Sequence, residues 1–258
     1  MPTCADAMKA DTVTYLTGMS TTFLPAHVLT RADSILRAQC GNVAVKRTAM
    51  HDQARRFLNF VFASIVAPDA SAVHTMLDCG SGDINGNNRA YCPPLATYIG
   101  NDLRPGRNVD LVCETGAITL PSESLDVVVS SECFEHDLKY EASLRNIHRM
   151  LRVGGLFIFT CASTGRPEHG TLRTSPGDSL STGLPLETGW PTYYKNLTID
   201  DVAAALPLSE YAWRAYYNAQ SKDLYFVGQK GSAPLCDASI EYDAPCVSRV
   251  YTAPASTV

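Results

Sequence analysis

Met76-Leu77-Asp78-Cys79-Gly80-Ser81-Gly82-Asp83 decides the architecture of this chain. Val73 to Leu77 is a short apolar run, interrupted by His74 and Thr75, that suits a buried strand. An acid follows, then glycines at 80 and 82. Without a Cβ, those two positions let the backbone turn sharply and approach a ligand closely. A strand feeding such a turn, with a helix after it, is the nucleotide-binding corner of an open α/β sheet. Tyr98-Ile99-Gly100-Asn101-Asp102 strengthens the assignment as a second short strand ending in an acid. Asp102 stands 20 residues beyond Gly82, where a carboxylate at the next strand's tip can accept from both ribose hydroxyls.

Working outward, Val109 to Cys113 reads as a third strand ending at Glu114, and Ser124 to Ser130 as a β-branched fourth, central in a parallel sheet. Leu156 to Thr160 is the fifth. Between the last two, Asp137 to Leu151 carries an apolar helical stripe (Tyr140, Leu144, Ile147, Leu151) and is closed by Gly154-Gly155. A first crossover helix is expected within Asn87 to Thr97, shortened by Pro93-Pro94, whereas Arg104 to Asn108 reads as a loop. Alternating strands and helices predict right-handed crossovers. Residues 162–195, dense in Gly, Pro, Ser and Thr, form a long loop of the kind used as a lid or binding segment. Thr198 with Asp201 caps a short helix through Leu206, and Tyr211–Tyr217 and Asp223–Gly228 form a closing antiparallel hairpin.

Upstream, a short helix is expected over Leu29–Cys40, stopped by Gly41-Asn42. A clearer one carries Ala54, Phe57, Leu58, Val61, Phe62 and Ile65 on one face and ends at Pro68. Residues 1–70 therefore read as an N-terminal helical cap, 71–230 as the ligand-binding domain, and 231–258 as a poorly ordered tail. The expected fold is α/β: a Rossmann-like, doubly wound, seven-stranded sheet, mostly parallel, with a C-terminal antiparallel hairpin and N-terminal helices.

Composition narrows the functional classes. A 45% hydrophobic and 18% charged chain is ordinary for a globular protein, and a net charge of −5 opposes general attraction to nucleic acid. No apolar stretch is long enough to cross a bilayer, and Met1 to Asp6 lacks the basic and apolar regions of a secretory signal. The nine cysteines (4, 40, 79, 92, 113, 133, 161, 236, 246) include no Cys-x-x-Cys, so they read as reduced, packed thiols of a cytoplasmic protein.

Four pieces in order resemble the class I S-adenosylmethionine-dependent methyltransferases, in their small-molecule, methyltransferase-11-like branch. They are Leu77 to Gly82, Ile99 to Asp102, Leu125 to His136, and Leu151-Arg152-Val153-Gly154-Gly155-Leu156-Phe157. The resemblance runs from about Thr75 to Lys230. It departs at the third glycine, displaced to Gly86, and at Val153, where proline is usual.

The resemblance implies an S-adenosylmethionine site built from Asp78, Gly80, Ser81, Gly82, Asp102, Leu103, Glu114, Thr115 and Ser131. Asp78 would fix the turn and favour the cofactor's ammonium, and Asp102 would hold the ribose diol. Glu114 would accept from the adenine amino group, with the backbone of Thr115 or Gly116 nearby. Ser131 would border the methionine moiety and the methyl. Asp78 and Asp102 could instead simply cap turns, and Glu114 could be an ordinary exposed acid.

Methyl transfer from a sulfonium is an in-line displacement, so the chain must chiefly align the groups and exclude water. His136 and His169 are the candidate bases for a hydroxyl, amine or acidic carbon. The alternatives are a structural His136 and a solvated His169. Tyr193 and Tyr194 would line an aromatic acceptor site or anchor the loop. No Asn/Asp-Pro-Pro-Tyr/Phe or Pro-Cys follows the fourth strand, which argues against amino-group methylation of adenine or glutamine and against a cytosine C5 nucleophile. Glu135-His136-Asp137 has metal-ligand chemistry, but consecutive residues at a helix start should diverge and no second cluster is evident. No metal is expected. The expected partner is a small or medium-sized acceptor. The rival functions are an NAD(P)-dependent oxidoreductase, disfavoured by Asn85 at the third glycine position, and a non-catalytic subunit that keeps the fold.

Overall fold

The computed structural model describes residues 52–231, 235, 242–244 and 246–252. The chain divides into two compact units, Met1–Arg47 and Thr48–Val258, and every described residue belongs to the second. The expected helix over Leu29–Cys40 lies outside the described residues.

Eight strands form one sheet: β1 (Thr75–Cys79), β2 (Thr97–Asp102), β3 (Leu111–Val112), β4 (Leu125–Ser131), β5 (Leu151–Ala162), β6 (Tyr211–Asn218), β7 (Asp223–Lys230) and β8 (Val247–Thr252). Their order is β3-β2-β1-β4-β5-β7-β6-β8. The pairs β3–β2, β2–β1, β1–β4 and β4–β5 are parallel, while β7, β6 and β8 close the sheet antiparallel. Chain order reverses at β1, so the carboxyl ends of β1 and β4 flank the switch point where α/β sheets bind ligands.

Successive side chains of a strand point to opposite faces, and both faces here are covered. Val128, Phe157, Phe159 and Phe226 pack with Leu144 and Ile147 of α2 (Tyr140–Met150) and Val202 of α3 (Ile199–Ala205). Val127, Val129, Ile158, Tyr225 and Val227 pack on the other face with Phe57, Leu58 and Val61 of α1 (Asp52–Val61). The Phe57 ring stacks on Tyr225 with centroids 4.9 Å apart. Thus α1, grouped with the cap on sequence grounds, contributes to the sheet's own core. It continues through a wide turn (Phe62–Val66) and a tight one (Ala67–Ala72) beyond Pro68.

Four expectations need correction. The crossover helix within 87–97 is absent: only a single turn, Arg89–Tyr91, interrupts an otherwise irregular connection. Gly86, the Asn87-Asn88 pair and Pro93-Pro94 break any helical run there. Gly154-Gly155 does not cap α2, because Leu151 is already extended. Instead residues 152–155 bulge out of β5, whose register against β4 jumps from Leu125–Leu151 to Val127–Leu156. The third strand shrinks to two residues, Leu111–Val112. Finally, the tail adds a strand, since β8 pairs with β6 and raises the expected seven strands to eight. The capped helix appears as expected: Thr198 and Asp201 form a reciprocal capping box.

Candidate functional site

The turn after β1 is fixed by side chains where a helix was expected. Asp78 is fully buried and accepts from Asn88 Nδ2 at 2.8 Å and from the Tyr98 hydroxyl at 2.5 Å. Asn108, at φ +68°, donates from Nδ2 to the Tyr98 hydroxyl (2.7 Å) and to the Ser81 carbonyl (2.9 Å). Ser81 returns a bond from its hydroxyl to the Asn108 carbonyl at 2.8 Å. Ser131, at the tip of β4, donates to Asn88 Oδ1 at 3.0 Å. Asp78, Ser81 and Ser131 are thus joined in one network through Asn88, Tyr98 and Asn108. Sequence reasoning passed over these three. The only signals were the asparagines clustered at a glycine turn, a context in which Asn tolerates left-handed backbone.

Burial pushes the Asp78 carboxyl up to about 6, against the bonds from Tyr98 and Asn88 that favour its ionised form. Asp102 is also pushed up by burial, and it accepts from the Gly82 amide (3.0 Å) and the Leu103 amide (2.7 Å). Gly80 sits at φ +76°. A Cβ on Gly82 would stand 2.4 Å from Leu180 Cδ1 and 2.9 Å from Asp102 Oδ2. The long loop therefore folds Leu180 directly over the glycine turn, as a cover.

The remaining expected contacts are more dispersed. Glu114 is ion-paired with Lys139 at 2.8 Å, which engages the carboxylate proposed for the adenine amino group. The Thr115 hydroxyl donates to Asn101 Oδ1 at 2.7 Å, and its carbonyl accepts from Asn146.

At the carboxyl end of β4 the chain holds a second polar group. Glu132 adopts left-handed backbone at φ +50°, a conformation that costs a non-glycine residue energy and recurs at functional sites. Glu135 and His136 follow on a single tight turn, Phe134–His136. His169 arrives from the loop, its ring 5.0 Å from that of His136, and the Tyr194 ring closes the cluster at 5.1 Å from His169 and 5.6 Å from His136. The structure thus brings His136, His169 and Tyr194 together. Both imidazoles are pushed down by burial, His136 to about 3. Burial pushes Glu135 up to about 8 and Glu132 well above the carboxylate range. The ground for setting aside a metal does not hold in the fold, because the tight turn lets Glu135 and His136 converge and the loop supplies His169. Their ligand atoms lie within 4.8 Å of one another.

Residues 77–159 match the family described as "Methyltransferase domain". This stretch is a methyltransferase domain. It spans β1 through most of β5 and so contains the whole switch point. Among solved structures, the chain is similar to the Burkholderia thailandensis 1,6-didemethyltoxoflavin-N1-methyltransferase, bound to 1,6-didemethyltoxoflavin and S-adenosylhomocysteine. The identity is 14% over 83% of this chain and 94% of that one, with TM-score 0.42. It is also similar to an S-adenosylmethionine-dependent methyltransferase from Mesorhizobium loti (17% identity, 66% and 100% coverage, TM-score 0.43). A third is phosphoethanolamine N-methyltransferase 2 of Haemonchus contortus in complex with S-adenosyl-L-methionine (14%, 64% and 53%, TM-score 0.43). No curated protein sequence matches. The site fits S-adenosylmethionine in its chemistry: a glycine turn at Gly80 and Gly82 under the Leu180 side chain, a buried carboxylate at Asp78 and a second carboxylate at Asp102. Among the described residues, no helix is long and apolar enough to cross a membrane.

Proposed function

We propose that this chain transfers a methyl group from S-adenosylmethionine to a small or medium-sized acceptor held between the β4 tip and the 162–195 loop. The observation that carries the reading is the chemistry of the corner after β1. Two carboxylates, Asp78 and Asp102, face a glycine turn that no helix follows. A helix N-terminus there would favour a pyrophosphate. Its absence, beside two acids, suits a cationic sulfonium ligand and disfavours the NAD(P) alternative.

Bound at this corner, S-adenosylmethionine supplies a methyl on sulfur that is already activated toward displacement. Asp78 would attract the ammonium, and Asp102, which accepts from the Gly82 amide, would hold the ribose hydroxyls. Gly80 and Gly82 admit the cofactor's length beside the backbone, with Ser81, Leu103, Thr115 and Ser131 around it. Leu180 covers the turn and excludes water. At the acceptor end, the carbonyl of Pro167 lies 3.1 Å from His169 Nδ1. A carbonyl only accepts, so Nδ1 carries the hydrogen and Nε2 keeps its lone pair. His169 Nε2 is therefore placed to take the acceptor's proton. His136, more deeply buried and less basic, backs it.

The test is a steady-state comparison. Asp102→Ala should raise the KM for the cofactor at least about tenfold, the loss of one or two hydrogen bonds to a polar ligand, and leave the acceptor's KM within about twofold. An unchanged cofactor constant removes the assignment of Asp102. Calorimetric titration with S-adenosylhomocysteine and with NADH separates the two enzyme readings. Cofactor binding without turnover on any acceptor would favour the non-catalytic subunit.

A further inference from the structure

We propose that Glu135, His136 and His169 form a binding site for a single divalent transition-metal cation at the carboxyl end of β4. The three ligand atoms already lie within 4.8 Å of one another, and His169 Nε2 is 4.0 Å from Glu135 Oε1. Around a cation with bonds of about 2.1 Å, ligand atoms stand roughly 3 to 3.5 Å apart, so side-chain rotations of about an ångström complete the set. Two imidazoles and a carboxylate on one side, with the other positions open, suit a first-row divalent ion such as Mn, Fe, Co or Zn.

Independent observations favour a cation at this place. Glu135 is completely buried with only the backbone amides of Glu135 and Ala162 beside its carboxyl and no side-chain donor, and the buried Nδ1 of His136 has no hydrogen-bond partner. Three positions earlier, both oxygens of Glu132 are likewise buried, with the Thr160 hydroxyl the neighbouring donor. The Arg166 guanidinium bonds the Ser221 carbonyl at 2.6 Å and Asp223 at 3.3 Å, and its charge favours the ionised forms of Glu132 and Glu135. Buried carboxylates are normally paired or metal-bound. The loop is shaped for the contact as well. Gly170, at φ +60°, lets His169 close onto the His136 ring, where a Cβ would lie 2.6 Å from His136 Cε1. The bond from His169 Nδ1 to the Pro167 carbonyl is the outer contact that metal-bound histidines commonly keep, and it leaves Nε2 toward Glu135.

The site's use rests on the methyl-transfer reading. With the cation in place, the His169 lone pair is committed to coordination. An acceptor hydroxyl binding at an open position would then be acidified by the metal, its proton passing to water as the oxygen takes the methyl. The acceptor class narrows accordingly to oxygen nucleophiles able to reach a metal.

The test uses the full chain, dialysed against chelator and titrated with CoCl2, with visible absorption and calorimetry as readouts. One equivalent should bind, with d–d bands typical of nitrogen and oxygen ligation. His169→Ala and Glu135→Gln should each weaken binding at least about tenfold. Retained heat with S-adenosylhomocysteine shows that a variant is folded. Should Glu135→Gln fail to fold, His169→Ala, whose ring sits on the loop and is 20% exposed, carries the test alone. Absence of Co2+ binding in the parent chain overturns the site, as does binding that His169→Ala leaves unchanged. Co2+ binding without S-adenosylhomocysteine binding would keep the site and remove the methyl-transfer reading instead.

Discussion

Asp78 shows how one side chain can pull stability and binding in opposite directions. Its carboxyl is raised to about 6 by burial, from an unfolded value near 4. A raised carboxyl stabilises the fold most below its unfolded pKa, and that contribution is lost as pH rises through about 6. The cofactor's ammonium needs the ionised form, so affinity follows the opposite trend. Lowering pH from 7.5 to 5 should weaken S-adenosylhomocysteine binding several-fold while this group adds to thermal stability. Asp78→Asn should bind more weakly at pH 7.5 and show a flatter affinity profile. A parent profile that stays level across pH 5 to 7.5 would remove the ammonium role. At this scale the sequence was informative about acids at strand tips and silent about their partners. Asp78, one residue before the end of β1, and Asp102, the last of β2, were legible because chain direction carries both strand ends to the same edge of the sheet. Asn88, Tyr98 and Asn108 were not, because their bonds depend on loop paths that no periodicity encodes.

Among the elements, the strands were read most reliably and the connections least. Apolar β-branched runs mark buried parallel strands whatever surrounds them, and β4 and the β6–β7 hairpin came through nearly residue for residue. The crossover after β1 differs because the strand–turn–helix pattern of α/β sheets calls for a helix where Gly86, Asn87, Asn88 and the two prolines oppose one. The double glycine at 154–155 signals a helix end and a strand bulge equally well, and only the β4–β5 register decides between them. Helix α1 was found by its stripe, though not its partner. It covers β7 through Phe57, which is fully buried and stacked on Tyr225. Phe57→Ala should lower unfolding free energy by about 3–5 kcal/mol, read as a shifted denaturant midpoint with an unchanged slope. A loss below about 1 kcal/mol would mean that α1 does not form part of this core.

Across the whole molecule, the sheet is asymmetric in how it ends. On one side β3 is only two residues long, too short to template another strand. On the other, β8 caps the eight-residue β6. Ending the chain at residue 246 should expose the β6 edge, lower the thermal midpoint by about 5 °C (equivalent to about 1–2 kcal/mol) and promote self-association. Light scattering after gel filtration measures the second effect, and a monomer of unchanged midpoint would show that β8 is dispensable. A chain end rich in Ser, Ala and Pro hides such a strand, because its pairing is set by the neighbour it meets and barely by its own composition.

The leucine that rests on the glycine turn has a kinetic corollary. A spent donor held beneath it would depart only with a lifting of the 162–195 segment, and the same lifting would admit the next. Turnover would then be timed by that gate and not by the bond exchange itself, with the demethylated product a natural inhibitor. Viscosity and loop mutations, more than the nucleophile's reactivity, would set the pace.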